Sequence, residues 1–146
     1  MSGAGSAAYR RVEIETASPA KLVVMLYNGA IRDSEEARAA LAEKDGARAH
    51  RHLLRAQDIV TELRSALDMG AGEISQNLDR VYDYLYRLLV RANVQKDTAP
   101  VEECIAHLRG LRDAWEDVFL RVAREEGGAA GATHNQHGHS VLNFEG

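Results

Sequence analysis

One cysteine, two prolines and eight aromatic residues are all that this chain of 146 residues spends on its most constraining side chains. A lone thiol, Cys104, cannot form an intramolecular bridge, so no disulfide framework underlies the fold, and a reducing cytoplasm is the simplest home. The longest uncharged stretch in the first hydrophobic run, Leu22 to Ile31, is far short of the roughly 18 residues a membrane span needs. Residues Met1 to Ala8 are small and polar, with no cationic start followed by an apolar run, so they do not read as a secretory signal. Charge of one sign is also missing: 18 Lys and Arg face 22 Asp and Glu, scattered at helical spacings, which excludes a nucleic-acid footprint. Arg far outnumbers Lys, but on solvated helix faces this says nothing of phosphate recognition.

What is present is helical periodicity. Apolar or small residues return at intervals of three and four in four segments. They are Val23, Leu26, Ala30, Ser34, Ala37, Leu41; then Ala49, Leu53, Ala56, Val60, Leu63, Leu67; then Ile74, Leu78, Val81, Leu85, Leu88, Ala92; then Val101, Ile105, Leu108, Leu111, Trp115, Val118 and Val122. No segment alternates as a strand would. Ser18-Pro19 and Thr98-Ala99-Pro100 mark two helix starts, because proline suits the first helical position, where its missing N–H has no intrahelical partner. Lys44-Asp45-Gly46 and Met69-Gly70-Ala71-Gly72 mark the other breaks. The spacing predicts helices near 19–43, 46–68, 73–95 and 100–126. Connections of about two to five residues then force an antiparallel up-down-up-down four-helix bundle, an all-α fold in one domain over 18–126. Residues 1–17 read as a flexible cap segment and the Gly/His-rich 127–146 as a disordered tail.

Chemistry is sparse. A di-iron bundle needs Glu-x-x-His pairs, and none occurs. Glu103 and His107, four apart, read as a surface ion pair, and His50 and His52 lie on opposite sides of a helix. There is no phosphate loop and no cysteine–histidine zinc spacing. The sequence thus predicts no metal, no cofactor and no enzyme. The segment Ala49-His50-Arg51-His52-Leu53-Leu54-Arg55-Ala56 faintly resembles the phosphorylated region of histidine phosphotransfer domains, with His52 as acceptor, but Arg55 and Ala56 stand where those domains have Lys and Gly. That is the alternative function.

The third helix carries apolar residues around about two thirds of its circumference. Either it is buried between two neighbours, or one side packs while Tyr82, Tyr86, Leu89 and Val90 line an exposed groove. Ile59 and Ala66 widen the stripe of the second helix towards such a groove. An amphipathic partner helix would enter it through anchors three and four residues apart.

In sequence order Tyr9, Thr16-Ala17-Ser18-Pro19, Leu22, Met25-Leu26-Tyr27-Asn28-Gly29-Ala30, Leu54-Arg55-Ala56-Gln57-Asp58-Ile59-Val60, Glu62-Leu63, Asn77-Leu78, Tyr82-Asp83-Tyr84-Leu85, Leu89-Val90-Arg91-Ala92-Asn93 and Leu111-Arg112-Asp113-Ala114-Trp115 form a set. This ordered set resembles the FliS family of flagellin-specific export chaperones. The resemblance implies a cytoplasmic, non-enzymatic chaperone whose client is the disordered C-terminal segment of flagellin. The client would fold into short helices on the bundle and be kept from premature polymerisation. The complex would be delivered to the flagellar type III export apparatus through its gate protein FlhA, and some members also bind the anti-sigma factor FlgM. The partner-binding residues expected here are Tyr27, Ile59, Leu63, Tyr82, Tyr86, Leu89, Val90 and Asn93, with Tyr9 and Val12 on a movable N-terminal flap.

Overall fold

The computed structural model describes residues 19–128. The cap segment 1–17, with Tyr9 and Val12, and the tail from 129 lie outside the described residues. Within them are four helices: α1 (Pro19–Ala42), α2 (Gly46–Ser65), α3 (Glu73–Gln95) and α4 (Thr98–Gly128). One 3₁₀ turn, Met69–Ala71, joins α2 to α3. No strand occurs among the described residues. α1 packs on α2 and α4, and α3 closes the ring by packing on the same two helices, which is the antiparallel four-helix bundle expected.

Two of the turns share one device. α1 ends with Lys44 in the left-handed conformation (φ 62°), and Asp45 N–H reaches back to Ala40 C=O at 2.8 Å. α3 ends with Lys96 (φ 53°), and Asp97 N–H reaches Ala92 C=O at 3.2 Å. These bonds satisfy carbonyls that a helix end leaves orphaned. The aspartate after each lysine then caps the next helix, Asp45 accepting from Arg48 N–H and Asp97 from Ala99 N–H, each at 3.1 Å. α4 therefore begins at Thr98, and Pro100 sits inside its first turn instead of opening it. The missing N–H is harmless there for the same reason, since no N–H of the first turn has an intrahelical acceptor. The α2–α3 turn differs: Gly72 caps α3 at φ 121°, a conformation open only to glycine, and α2 stops at Ser65, three residues before the expected end.

The core is built from Leu53, Val60, Leu85, Leu88, Leu89, Val101, Cys104, Ile105 and Leu108, all buried. Facing them, α1 supplies Ala30, Ser34, Ala37 and Ala40, small groups that let its neighbours approach closely. Ile74, expected on the apolar face of α3, lies in its first turn and is exposed. Ser34 is fully buried and its Oγ has no hydrogen-bond partner among the described residues. A desolvated hydroxyl without a partner costs free energy, and alanine is the better helix former. Ser34→Ala is therefore expected to raise stability by about 1 kcal/mol, read as an upward shift of the urea midpoint at unchanged slope.

Candidate functional site

Two apolar surfaces are open to solvent, one on each side of α2. The first is a cleft of about 460 Å³ between α1 and α2, floored by Leu22, Met25, Leu26, Gly29 and Ile59 and rimmed by Arg32, Asp33, Arg55, Asp58 and Glu62. Gly29 makes this cleft possible. A Cβ on it would stand 3.2 Å from Ile59 Cδ1, so the bare glycine lets the isoleucine lean across the seam and form the floor. Interior glycine costs a helix roughly 1 kcal/mol against alanine, and here that cost is offset by close approach of α1 and α2.

The second surface is a row on α3. Tyr86, Val90 and Val94, spaced four apart, are 38%, 36% and 77% exposed, and with Asp83, Arg87 and Arg91 they line a shallow hollow. The bonds His50–Asn93 and Arg64–Asp79 set the antiparallel register of α2 and α3, which brings exposed Leu54 level with Leu89 and Val90. Leu54 thus stands on α2 between the cleft and the row. Charge frames the row at its lower end: Arg64 binds Asp79 at 2.6 Å and Asp83 at 3.2 Å, and Arg87 binds Asp83 at 2.8 Å. The hydrogen bond from Arg64 holds the Asp79 carboxyl below the usual carboxylate range.

The expected partner-binding residues divide between surface and interior. Tyr86 and Val90 are exposed and Ile59 is half-buried in the cleft floor. Tyr27, Leu63, Tyr82 and Leu89 are buried. The groove expected from Tyr82, Tyr86, Leu89 and Val90 is therefore two layers: Tyr82 and Leu89 turn into the core, while Tyr86 and Val90 face out. A 100° step per residue separates 86 and 90 from 82 and 89 only partly, so α3 shows apolar side chains both to its neighbours and to solvent. Asn93 is half-buried with its amide already engaged, Nδ2 donating to His50 Nδ1 at 2.9 Å and Oδ1 accepting from Lys96 Nζ at 2.6 Å. Leu22, Met25, Leu26 and Val94 were missed. The interior Gly29 was the signal for the first three.

Below the cleft and the row lies a polar knot inside the core. The Tyr27 and Tyr82 hydroxyls are hydrogen-bonded at 2.5 Å, and Trp115 Nε1–H donates to Tyr27 Oη at 3.2 Å. Trp115 in turn stacks on Phe119 with centroids 5.4 Å apart. Three helices are locked to one another through Tyr27 Oη.

Nothing in this arrangement resembles a reaction centre. No group of three metal-ligating side chains occurs among the described residues. Burial first, and Glu103 second, push the Cys104 thiol up to about 12, which removes it as a nucleophile near neutral pH. Glu103 and His107 do meet on one helix face, at 3.3 Å, and Tyr84 donates to the same carboxylate at 2.5 Å. His52 Nδ1 lies 2.8 Å from Asp33 Oδ1 with both side chains largely covered, at the α1–α2 seam. A phosphotransfer histidine must instead present its ring to a receiver domain.

A family model, Flagellar protein FliS, matches residues 1–121. The chain belongs to the FliS family. It is 34% identical over 124 residues to the flagellar secretion chaperone FliS of Bacillus subtilis, covering 85% of this chain and 92% of that one. The FliS of Salmonella typhimurium is 33% identical over 128 residues, 84% of this chain and 95% of that protein. That of Escherichia coli is 35% identical over 124 residues, 80% and 90% respectively. Membership of the FliS family gives the chain a chaperone role in flagellar export, not an enzymatic one, and accords with a bundle whose notable features are apolar surfaces. No helix among the described residues is long and apolar enough to cross a membrane.

Proposed function

We propose that this FliS-family chain binds the C-terminal segment of flagellin in the cytoplasm, lays it as amphipathic helix across the α1–α2 cleft and the α3 row, and so keeps it from polymerising until delivery to the export apparatus through FlhA. The observation that carries this reading is the pair of exposed apolar surfaces on either side of α2, joined by Leu54. A segment that is disordered when free gives up conformational entropy on binding, so its receptor must offer extended apolar surface. The four-residue spacing of Tyr86, Val90 and Val94 suits a helical client, whose own anchors repeat at three and four. Ile59, Tyr86 and Val90 contact the client directly in this reading. Tyr27, Leu63, Tyr82 and Leu89 support the surface from beneath.

Calorimetric titration of the full chain with the C-terminal segment of flagellin from the same cell is expected to give one-to-one binding with a negative heat-capacity change, the mark of apolar burial coupled to folding. Circular dichroism of the mixture should exceed the sum of the parts as the client becomes helical. Binding without added helix or heat-capacity change would reject coupled folding, and absence of binding would reject flagellin as the client.

A further inference from the structure

We infer that Gln57 is a specificity-determining contact of the client surface. Its side-chain amide, at the foot of the valley between α2 and α3, takes an amide group of the client: the carboxamide of an Asn or Gln among the anchors, or a peptide group at a client helix end. The inference rests on the reading above that a helical client crosses from the cleft to the row.

Positions 50, 57 and 64 recur every seven residues, close to two helical turns, so they share one edge of α2. Positions 79, 86 and 93 do the same on α3. The outer two levels of this seam are bonded across it, His50 to Asn93 at 2.9 Å and Arg64 to Asp79 at 2.6 Å. The antiparallel register these bonds set puts Gln57 level with Tyr86 at the middle one. No bond joins them: among the described residues neither the Gln57 amide nor the Tyr86 hydroxyl has a hydrogen-bond partner. Thr61 Oγ1, one turn on, donates to the Gln57 backbone carbonyl at 2.9 Å instead. Gln57 is nevertheless only 7% exposed. Among the described residues Ser34 Oγ alone is both sealed from solvent and unpartnered, so both polar atoms of the Gln57 amide keep a contact with water. Water reaches them from the outer side, where Leu54, Asp58 and Thr61 are exposed, since Leu53, Ala56 and Val60 on the inner side are buried.

The bundle itself gains nothing from this amide. Methionine has a similar length and helix propensity and carries no polar group to desolvate. The place accounts for it. Gln57 is one turn from Leu54, which stands between cleft and row, and level with Tyr86, which begins the row. A client helix passing from one surface to the other lies over its amide and closes the remaining opening. A carboxamide presents an acceptor oxygen and a donor nitrogen side by side, and the group that answers both at once is another amide. A client carboxylate or ammonium would lose its hydration there without a counter-charge, because Arg64 is already bound to Asp79 and Asp83. A client methyl would leave the glutamine amide covered and unpaired, and a site built to hydrogen-bond rejects such a group strongly.

Gln57→Met in the full chain separates this role from a structural one. Its urea midpoint is expected to stay or rise, while its affinity for the flagellin C-terminal segment falls about five- to tenfold, the worth of one net hydrogen bond. A midpoint that falls along with affinity would make Gln57 a packing residue, and unchanged affinity would take it out of the contact. Either result overturns the inference and leaves flagellin binding standing. A second arm needs no flagellin: helical peptides with leucines four apart carry one Asn, moved along the leucine face, and each is titrated beside its Ala counterpart. One Asn position is expected to bind the parent chain about five- to tenfold more tightly than Ala and to lose that preference in Gln57→Met. No preferred position, with flagellin affinity still reduced in the variant, would assign the contact to a client peptide group. A preferred position without flagellin binding would uphold the amide seat and reject flagellin as the client, and neither would overturn both readings.

Discussion

Leu89→Asp is expected to abolish the cooperative unfolding transition, while Val90→Asp, one residue along, should leave it within about 1 kcal/mol of the parent and remove client binding. The two positions differ in burial: Leu89 is 0% exposed, Val90 36%. Truncating a fully buried leucine costs about 2–5 kcal/mol. Placing a carboxylate there adds several more, whether it stays charged in an apolar surround or takes up a proton at raised pKa. Their sum reaches the whole 5–15 kcal/mol stability of a domain of this size. At position 90 an aspartate reaches water, its helix propensity is close to that of valine, and Arg87 stands three residues before it. The charge would, however, sit between Tyr86 and Val94 in the centre of the row. At least a tenfold loss of affinity for the flagellin segment is expected, about 1.4 kcal/mol or more. Urea denaturation and titration of both variants check the pair. A folded Leu89→Asp protein would mean that α3 can turn this face outwards, and undiminished binding by Val90→Asp would take the row out of the client surface.

The contrast between positions 89 and 90 also shows where sequence reading stops. Periodicity placed four helices because a helix is a local object, and its apolar repeat is written in neighbouring residues. The ends were less legible. Pro100 reads as a first helical residue, yet Asp97 offers a side-chain oxygen and a preceding left-handed lysine, and capping chemistry decides the start. Within α3 the apolar stripe is so wide that sequence alone leaves two orientations, and only the packing of α2 and α4 on it selects Leu85, Leu88 and Leu89 for the core over Tyr86 and Val90. The cleft was half legible. An interior glycine such as Gly29 is a sequence signal for close helix approach, but that Ile59 leans over it depends on the register of α1 against α2, set by contacts such as His52–Asp33 between distant parts of the chain.

The hardest feature to foresee was the polar knot, and replacing Tyr27 is expected to produce the second large effect. Tyr82 and Trp115 lie 55 and 88 positions from Tyr27, so no local pattern links the three. Each reads from the sequence as an apolar or client-facing aromatic. In the fold Tyr27 is fully buried, and its hydroxyl bonds to Tyr82 and accepts from Trp115. Tyr27→Phe keeps the ring and removes that shared oxygen. A net hydrogen bond is worth about 1 kcal/mol, and the Tyr27 hydroxyl takes part in two buried ones, so a loss of about 2 kcal/mol is expected. Tyr27→Ala also opens a ring-sized cavity among α1, α3 and α4 and should cost about 3–5 kcal/mol. Coupling separates the knot from simple packing: residues sharing one hydrogen-bond network are non-additive. The Tyr27→Phe, Tyr82→Phe double variant should therefore be less destabilised than the sum of its singles by about 1 kcal/mol, because each single variant already loses the bond between the two hydroxyls and the double loses it only once. Equilibrium urea unfolding of the four proteins gives the cycle directly. Strict additivity would show that the hydroxyl pair contributes nothing beyond its two rings, and that α1 and α3 are joined by apolar packing alone.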